Sequence, residues 1–226
     1  MSQLFKLSPS ELTFLWSECP RCFYLKVARR MGRPATAMPA IFQRIDRLMK
    51  GFFQGRATDE FAPGLPPGRV RFADNWVQSA PICIPGRQAQ AFIRGKFDSV
   101  VEFDGGGYGV VDFKTTEPKV EHVSFYGRQL RAYAYALEHP APGKLSLAPV
   151  THLGLLSVAP DIMDRDSAGR VGYLGHITWQ PIAVDEAGFL AFLGQVLALL
   201  EEPEPPEGNP ECVWCKYRVQ ARESGL

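Results

Sequence analysis

The sequence predicts an α/β fold, a mixed central sheet flanked by helices, preceded by a helical segment and followed by a cysteine motif. Three observations carry this. Apolar residues recur at helical spacing up to Gln54 and again near the C-terminal end. From Ala91 to Thr116, and from Val150 to Ile182, β-branched and aromatic residues dominate in runs separated by turn residues. After residue 91, strand-like and helix-like stretches alternate, and no internal repeat is present, which argues for one layered domain. With 226 residues, 46% of them apolar, the chain is long enough to bury a core and is not composed like a disordered one.

The first element is a helix opened by Ser8-Pro9-Ser10-Glu11. Ser8 is placed to cap, Pro9 suits the first helical position, and Glu11 completes a capping box. Leu12, Leu15 and Trp16 follow at helical spacing. The chain then passes through Cys19-Pro20-Arg21-Cys22 into a second short helix at Phe23-Tyr24-Leu25-Lys26. A break at Gly32 to Pro39 precedes a third helix, about Pro39 to Gln54. Its apolar set is Ile41, Ile45, Leu48 and Phe52, widened by Phe42, Met49 and Phe53. Residues 55–68 are rich in Gly and Pro and read as a loop. Ala91 to Phe103 and Tyr108 to Thr115 read as the two strands of a hairpin turned by Asp104-Gly105-Gly106-Gly107. A helix over about Phe125 to Glu138 carries Leu130, Tyr133, Ala134 and Leu137 on one side. Strands at Val150 to Val158 and Gly172 to Ile182 follow, then a helix over Asp185 to Glu202, then a proline-rich connector, Pro203 to Pro210.

The net charge of +1 conceals an asymmetry. Residues 1–56 hold ten lysines and arginines against three acids, net +7, leaving −6 for the remainder. A basic first quarter fits a phosphate-contacting surface, and equally fits a solvated helix face. No run approaches the roughly 18 apolar residues needed to span a bilayer. The start of the chain lacks a basic stretch followed by an apolar one, so a cytoplasmic protein is expected. Four of the five cysteines form two C-x-x-C pairs, Cys19/Cys22 and Cys212/Cys215. In a cytosolic chain that pattern argues for a metal or cluster site over disulfides. Cys83, outside these pairs, reads as a buried small apolar residue.

The stretch richest in chemistry is Gly95-Lys96-Phe97-Asp98, then the glycine turn, then Val111-Asp112-Phe113-Lys114-Thr115-Thr116. Side chains alternate along a strand, so Asp112 and Lys114 project to one side. Apolar Val110, Val111 and Phe113 mark the strand as buried, and burying carboxylates is costly unless a cation compensates them. Hard oxygen donors suit Mg²⁺ or Mn²⁺. Asp98 shares that face only under a particular register. If Phe103 paired with Tyr108, Asp98 would face Phe113 and Asp112 would point away. A shared face requires an odd-numbered loop with Phe103 opposite Gly107, or a bulge. Gln129 and Tyr133, four residues apart on the next helix, face the same way.

The order G-x-x-D, hairpin, V-D-F-K-T-T, then Q-x-x-x-Y on a helix resembles the PD-(D/E)XK nuclease superfamily. Within it the pattern looks most similar to the RecB-like branch, which includes CRISPR-associated iron–sulfur exonucleases. The opening Leu7-Ser8-Pro9-Ser10-Glu11 through Cys19-Pro20-Arg21-Cys22-Phe23-Tyr24-Leu25 shares the resemblance. It implies a restriction-endonuclease-like core acting as a metal-dependent, exonuclease-like nuclease on DNA phosphodiester bonds, on single strands or free ends. Asp98 and Asp112 would hold the metal with the Phe113 carbonyl, Lys114 would orient or activate the attacking water, and Gln129 and Tyr133 would support the site or touch nucleic acid. RecB-like relatives usually add a histidine from a preceding helix. The third helix has none, and Asp46 occupies a comparable place, either as a harder ligand or as an i,i+4 partner of Lys50.

Relatives with a cluster hold [4Fe-4S] with one N-terminal and three C-terminal cysteines. Here the distribution is two and two, Cys19, Cys22, Cys212 and Cys215; the resemblance implies a [4Fe-4S] cluster on these four, and the same set suits tetrahedral Zn²⁺ as the alternative. The chain, 1–226, is thus read as a single nuclease-like domain: a basic helical segment (1–56), a catalytic core (91–202) and a C-terminal cysteine segment (203–226). The competing reading is a cysteine-metal-stapled nucleic-acid-binding protein with a degenerate nuclease core. The carboxylates argue against it, because a pure phosphate binder gains nothing from acids facing its ligand.

Overall fold

A computed structural model describes residues 3–34 and 39–225. Part of the expected break at Gly32 to Pro39 therefore lies outside the described residues. Strand β1, Leu4–Leu7, leads into a helical stretch whose first turns are π-helical (Glu11–Leu15) and continue as α1, Trp16–Glu18. The capping box forms: Glu11 N donates to Ser8 Oγ, and Ser8 N to Glu11 Oε2, both at 3.3 Å. Helix α2 spans Pro20–Ala28 and α3 spans Ala40–Phe53. Seven strands follow: β2, Gly68–Ala73; β3, Trp76–Gln78; β4, Ile82–Cys83; β5, Gln90–Lys96; β6, Ser99–Phe103; β7, Tyr108–Lys114; and, after α4 (Val120–Glu138), β8, Val150–Arg165. Strand β9, Val171–Ile182, α5, Glu186–Glu201, and α6, Val213–Glu223, complete the order.

The main sheet runs β2-β6-β7-β8-β9, with β7 and β8 parallel and the other pairs antiparallel, so it is mixed as expected. A second sheet is built on β5. It pairs in parallel with β1 and antiparallel with β3 and β4. The larger core fills the space between the two sheets, α2, α4 and α5. A smaller core, with Met49, Phe53, Phe61, Val111, Phe113 and Leu156, lies on the other face of the main sheet, under α3.

Four expectations are corrected. Ala91 to Phe103 is not one strand: the chain breaks at Phe97-Asp98 and passes from the β5 sheet to the main sheet. The break carries no Gly or Pro, and Phe97 stays fully buried, so the apolar run continues through it. The helix α3 buries only Met49 and Phe53, with Ile45 half-buried, while Ile41, Phe42, Leu48 and Phe52 are exposed. Its apolar residues form one broad stripe, and the sheet covers only the 45-49-53 edge of it. Cys83 is exposed, because β4 turns Ile82 inward and alternation puts its neighbour outside. Finally, β8 does not stop at Val158. It continues through an irregularity between Pro160 and Ile162, the kind of position a strand proline tolerates.

Candidate active site and cysteine centre

In the β6–β7 ladder Ser99 pairs with Val111 and Glu102 with Tyr108. Phe103 N donates to Gly107 O at 3.1 Å, closing a three-residue loop in which Gly106 and the following Gly107 adopt φ of 90° and 84°. The loop is odd, with Phe103 opposite Gly107, as a shared face requires. Asp98, one residue before β6, therefore stands across from Asp112. Its Oδ2 accepts from Phe113 N at 3.0 Å.

Asp112 is the buried member of the pair, 2% exposed. Gln129 Nε2 of α4 donates to its Oδ1 at 3.0 Å, and the Lys114 ammonium contacts its other oxygen. Lys114 Nζ also lies 3.9 Å from the ring centroid of Tyr126, a cation–π contact that holds it over the site. Burial, reinforced by Asp98, outweighs Lys114 and pushes the Asp112 carboxyl up to about 6. Tyr133 lies one turn beyond Gln129 and donates to the Lys96 carbonyl at 2.7 Å, anchoring the crossing that presents Asp98. Gly95 permits this approach: a Cβ there would stand 2.7 Å from Pro9 Cδ and 3.0 Å from Tyr133 Cε1. That is the physical sense of the glycine in G-x-x-D.

Asp46 meets the carboxylate pair through Lys50. Its helix covers the Val111/Phe113 face of the main sheet, whereas Asp112 faces Gln129 on α4. Lys50 bridges the gap. Its ammonium lies 2.9 Å from Asp46 Oδ2, Asp74 Oδ1 and Asp98 Oδ1. Burial pulls the Lys50 ammonium down, but Asp98, Asp46 and Asp74 outweigh it and hold the group above its ordinary range. Sequence reasoning missed Asp74, which also meets Lys96 Nζ at 3.1 Å. The available signal was Asp74-Asn75, a pair that tolerates left-handed backbone, and Asp74 has φ 58°.

Lys50→Met is expected to destabilise the protein in chelator by about 1–2 kcal/mol, after allowing for solvent screening of the half-exposed Asp46 and Asp74. Mn²⁺ should restore more stability to the variant than to the parent. Thermal melts with and without Mn²⁺ measure both, and an unchanged melt in chelator would refute the bridging role.

The two C-x-x-C pairs converge. Cys19 and Cys212 occupy the N-cap positions of α2 and α6, and Cys22 and Cys215 the first turns of those helices. All four Sγ atoms lie within 4.8 Å of one another. Among the described residues this is the one group of three or more His, Cys, Asp or Glu placed to share an ion. Arg33 Nη2 donates to Cys212 Sγ at 3.4 Å and Arg218 Nη1 to Cys22 Sγ at 3.3 Å. The connector is tied down by Tyr24 Oη to Glu202 O (2.7 Å), Arg21 Nη1 to Pro206 O (2.8 Å) and Asn209 Nδ2 to Glu18 O (2.9 Å). Burial raises the Cys19 thiol, but bonds from the Asn209 and Cys22 backbone and from the other cysteines outweigh it and bring it to about 7. Burial and its cysteine neighbours push Cys215 up to about 12.

A mixed sheet flanked by helices thus presents two carboxylates and a lysine beside a helical glutamine. The family model of the PD-(D/E)XK nuclease superfamily matches residues 66–220, and the chain belongs to that superfamily. No curated protein matches the sequence significantly. Among solved structures the chain is similar to the one described as "Crystal structure of SSO0001", at 17% identity and a TM-score of 0.49, over 95% of this chain and 84% of that one. Among the described residues, no helix is long and apolar enough to cross a membrane.

Proposed function

We propose that the chain is a divalent-metal-dependent deoxyribonuclease, exonuclease-like, working at Asp98, Asp112 and Lys114. The observation that carries this reading is the β6–β7 register, which sets Asp98 across from Asp112 with Lys114 on the Asp112 oxygen. The donor set fits a hard cation. A carboxylate as buried as Asp112 is compensated best by a positive ion, and oxygen donors match Mg²⁺ or Mn²⁺. Asp98, Asp112 and the Phe113 carbonyl would hold it. When bound, such an ion acidifies water and offsets charge developing on phosphate oxygens. Gln129 fixes the orientation of Asp112 through Oδ1. Lys114, held against Tyr126, orients the attacking water and meets negative charge at the phosphate. Tyr133, through the Lys96 carbonyl, positions the segment that presents Asp98. Arg44 and Arg47, exposed on the same helix as Lys50, offer phosphate contacts on the approach to the site. Four free thiols gathered for a metal suit a reducing, cytoplasmic setting.

One observation favours the alternative, a cysteine-stapled nucleic-acid-binding protein. Lys50 already sits on Asp98 Oδ1, where a catalytic cation would bind. The full chain, incubated with labelled linear and circular DNA, single- and double-stranded, and with RNA, separates the readings. Expected is cleavage of linear DNA with Mg²⁺ or Mn²⁺, abolished by chelator, with circles spared. Tight binding without cleavage supports the alternative, and cleavage of RNA alone overturns the DNA assignment.

A further inference from the structure

The cysteine centre has a geometry of its own. Cys19 and Cys215 Sγ are 3.6 Å apart, Cys22 and Cys212 3.7 Å, and Cys22 and Cys215 3.9 Å. Four sulfurs at about 2.3 Å from one ion, on the corners of a tetrahedron, stand about 3.8 Å apart. A [4Fe-4S] cubane places each thiolate on a different iron, at the outer corners of the cluster. Its four Sγ atoms therefore stand roughly 6 Å apart, with inorganic sulfide filling the space between them. Four sulfurs that all lie within 4.8 Å of one another leave no room for that core.

The surroundings agree. Each pair supplies one sulfur from a helix N-cap and one from the first turn, a symmetric two-plus-two set in place of one and three. Arg33 and Arg218 close the shell from outside at 3.4 and 3.3 Å. Four thiolates around one divalent ion carry a net charge of −2, and Arg218 and Arg33, the latter shared with Glu18, bring positive charge against it.

We propose that Cys19, Cys22, Cys212 and Cys215 hold a single tetrahedral Zn²⁺, and that the iron–sulfur cluster implied by the resemblance to RecB-like exonucleases does not fit this chain. Thiolate softness and a closed tetrahedral site select zinc over Mg²⁺ or Mn²⁺, so the centre is chemically separate from the carboxylate site. The proposal does not depend on the nuclease reading, because its measurement is composition, not cleavage.

The full chain is to be produced with both iron and zinc supplied and purified without oxygen. Elemental analysis, acid-labile sulfide and the visible spectrum then decide. One zinc per chain, no labile sulfide and no brown colour are expected. Replacing the metal by Co²⁺ should give the intense visible bands of a tetrahedral tetrathiolate. Cys215→Ser should weaken zinc retention against a chelator by at least tenfold, and Arg33→Ala by roughly 10-fold, the lower end for lost outer-shell partners. Iron and labile sulfide at about four each per chain would overturn the proposal, as would a folded parent chain with no stoichiometric metal. The parent's composition keeps the test decisive if a variant fails to fold.

Discussion

Asp112→Asn is expected to give a folded chain that loses divalent-dependent DNA cleavage by about a thousandfold or more. It should also be more stable than the parent at neutral pH without metal. Both effects follow from one buried carboxylate. Asp112 is held near pKa 6 in the folded chain, chiefly by burial, against about 3.9 when unfolded. A raised carboxyl pKa means that between about pH 4 and 6 the folded state binds more protons than the unfolded state. Stability therefore falls as pH rises through that window. Above it the buried charge costs about 3 kcal/mol, a figure already net of the attraction of Lys114. The variant's advantage should be full at pH 7 to 8 and vanish below pH 4. Mg²⁺ or Mn²⁺ should raise the melting midpoint of the parent and leave the variant unmoved. Asp98→Asn should lose cleavage similarly, and Lys114→Ala by about a hundredfold or more. Undiminished cleavage by Asp112→Asn would remove the site, and a parent more stable than the variant at pH 8 in chelator would remove the burial argument.

The parts of this site legible in the sequence are those that strand periodicity and turn chemistry determine. Asp112 and Lys114 share a side because alternate residues do, and three glycines permitted the odd loop that brings Asp98 across from Asp112. Gln129 and Tyr133 share a side of α4 because they are one turn apart, although only Gln129 touches a carboxylate. What stayed hidden depends on how distant elements cross. The passage from β5 into β6 leaves no mark, since Phe97 is as apolar as its strand neighbours. Strands β1, β3 and β4 are only two to four residues long, and the pairings of β1 with β5 and of β2 with β6 are set by contacts far along the chain. How much of the α3 stripe would be covered could not be read from the seven apolar residues that form it, of which the sheet buries only one edge. Of the two readings of Asp46, the structure shows the i,i+4 pair with Lys50, which itself reaches Asp98.

The cysteine centre carries the second large effect, because apart from Trp214 little else holds α6 to the core. None of its own residues is fully buried; besides Trp214, half-buried against the larger core, its attachment runs through Cys212, 3% exposed at its N-cap, and Cys215, with Arg218 reaching back to Cys22. An isolated 11-residue helix is marginal in water, so its order depends on the site at its start. At such a site the free energy of binding metal is the free energy of folding the clasp. Cys212→Ser, or stripping the metal with a strong chelator, should therefore release α6 and the 203–210 connector while α4, α5 and the main sheet persist. Limited proteolysis within 203–225 should speed up by at least tenfold, with little change in far-ultraviolet circular dichroism beyond one short helix. The tethers from Tyr24 to Glu202 and from Arg21 to Pro206 should hold the start of the connector longer than its end, where the Asn209–Glu18 bond lies beside the cysteine centre and loosens with it. Cleavage is thus expected first after Pro206, toward Cys212. Equal protease resistance in the parent and Cys212→Ser would mean that the centre does not clasp the chain end. Global unfolding of the variant would mean that the centre supports the whole core, not only its terminal helix.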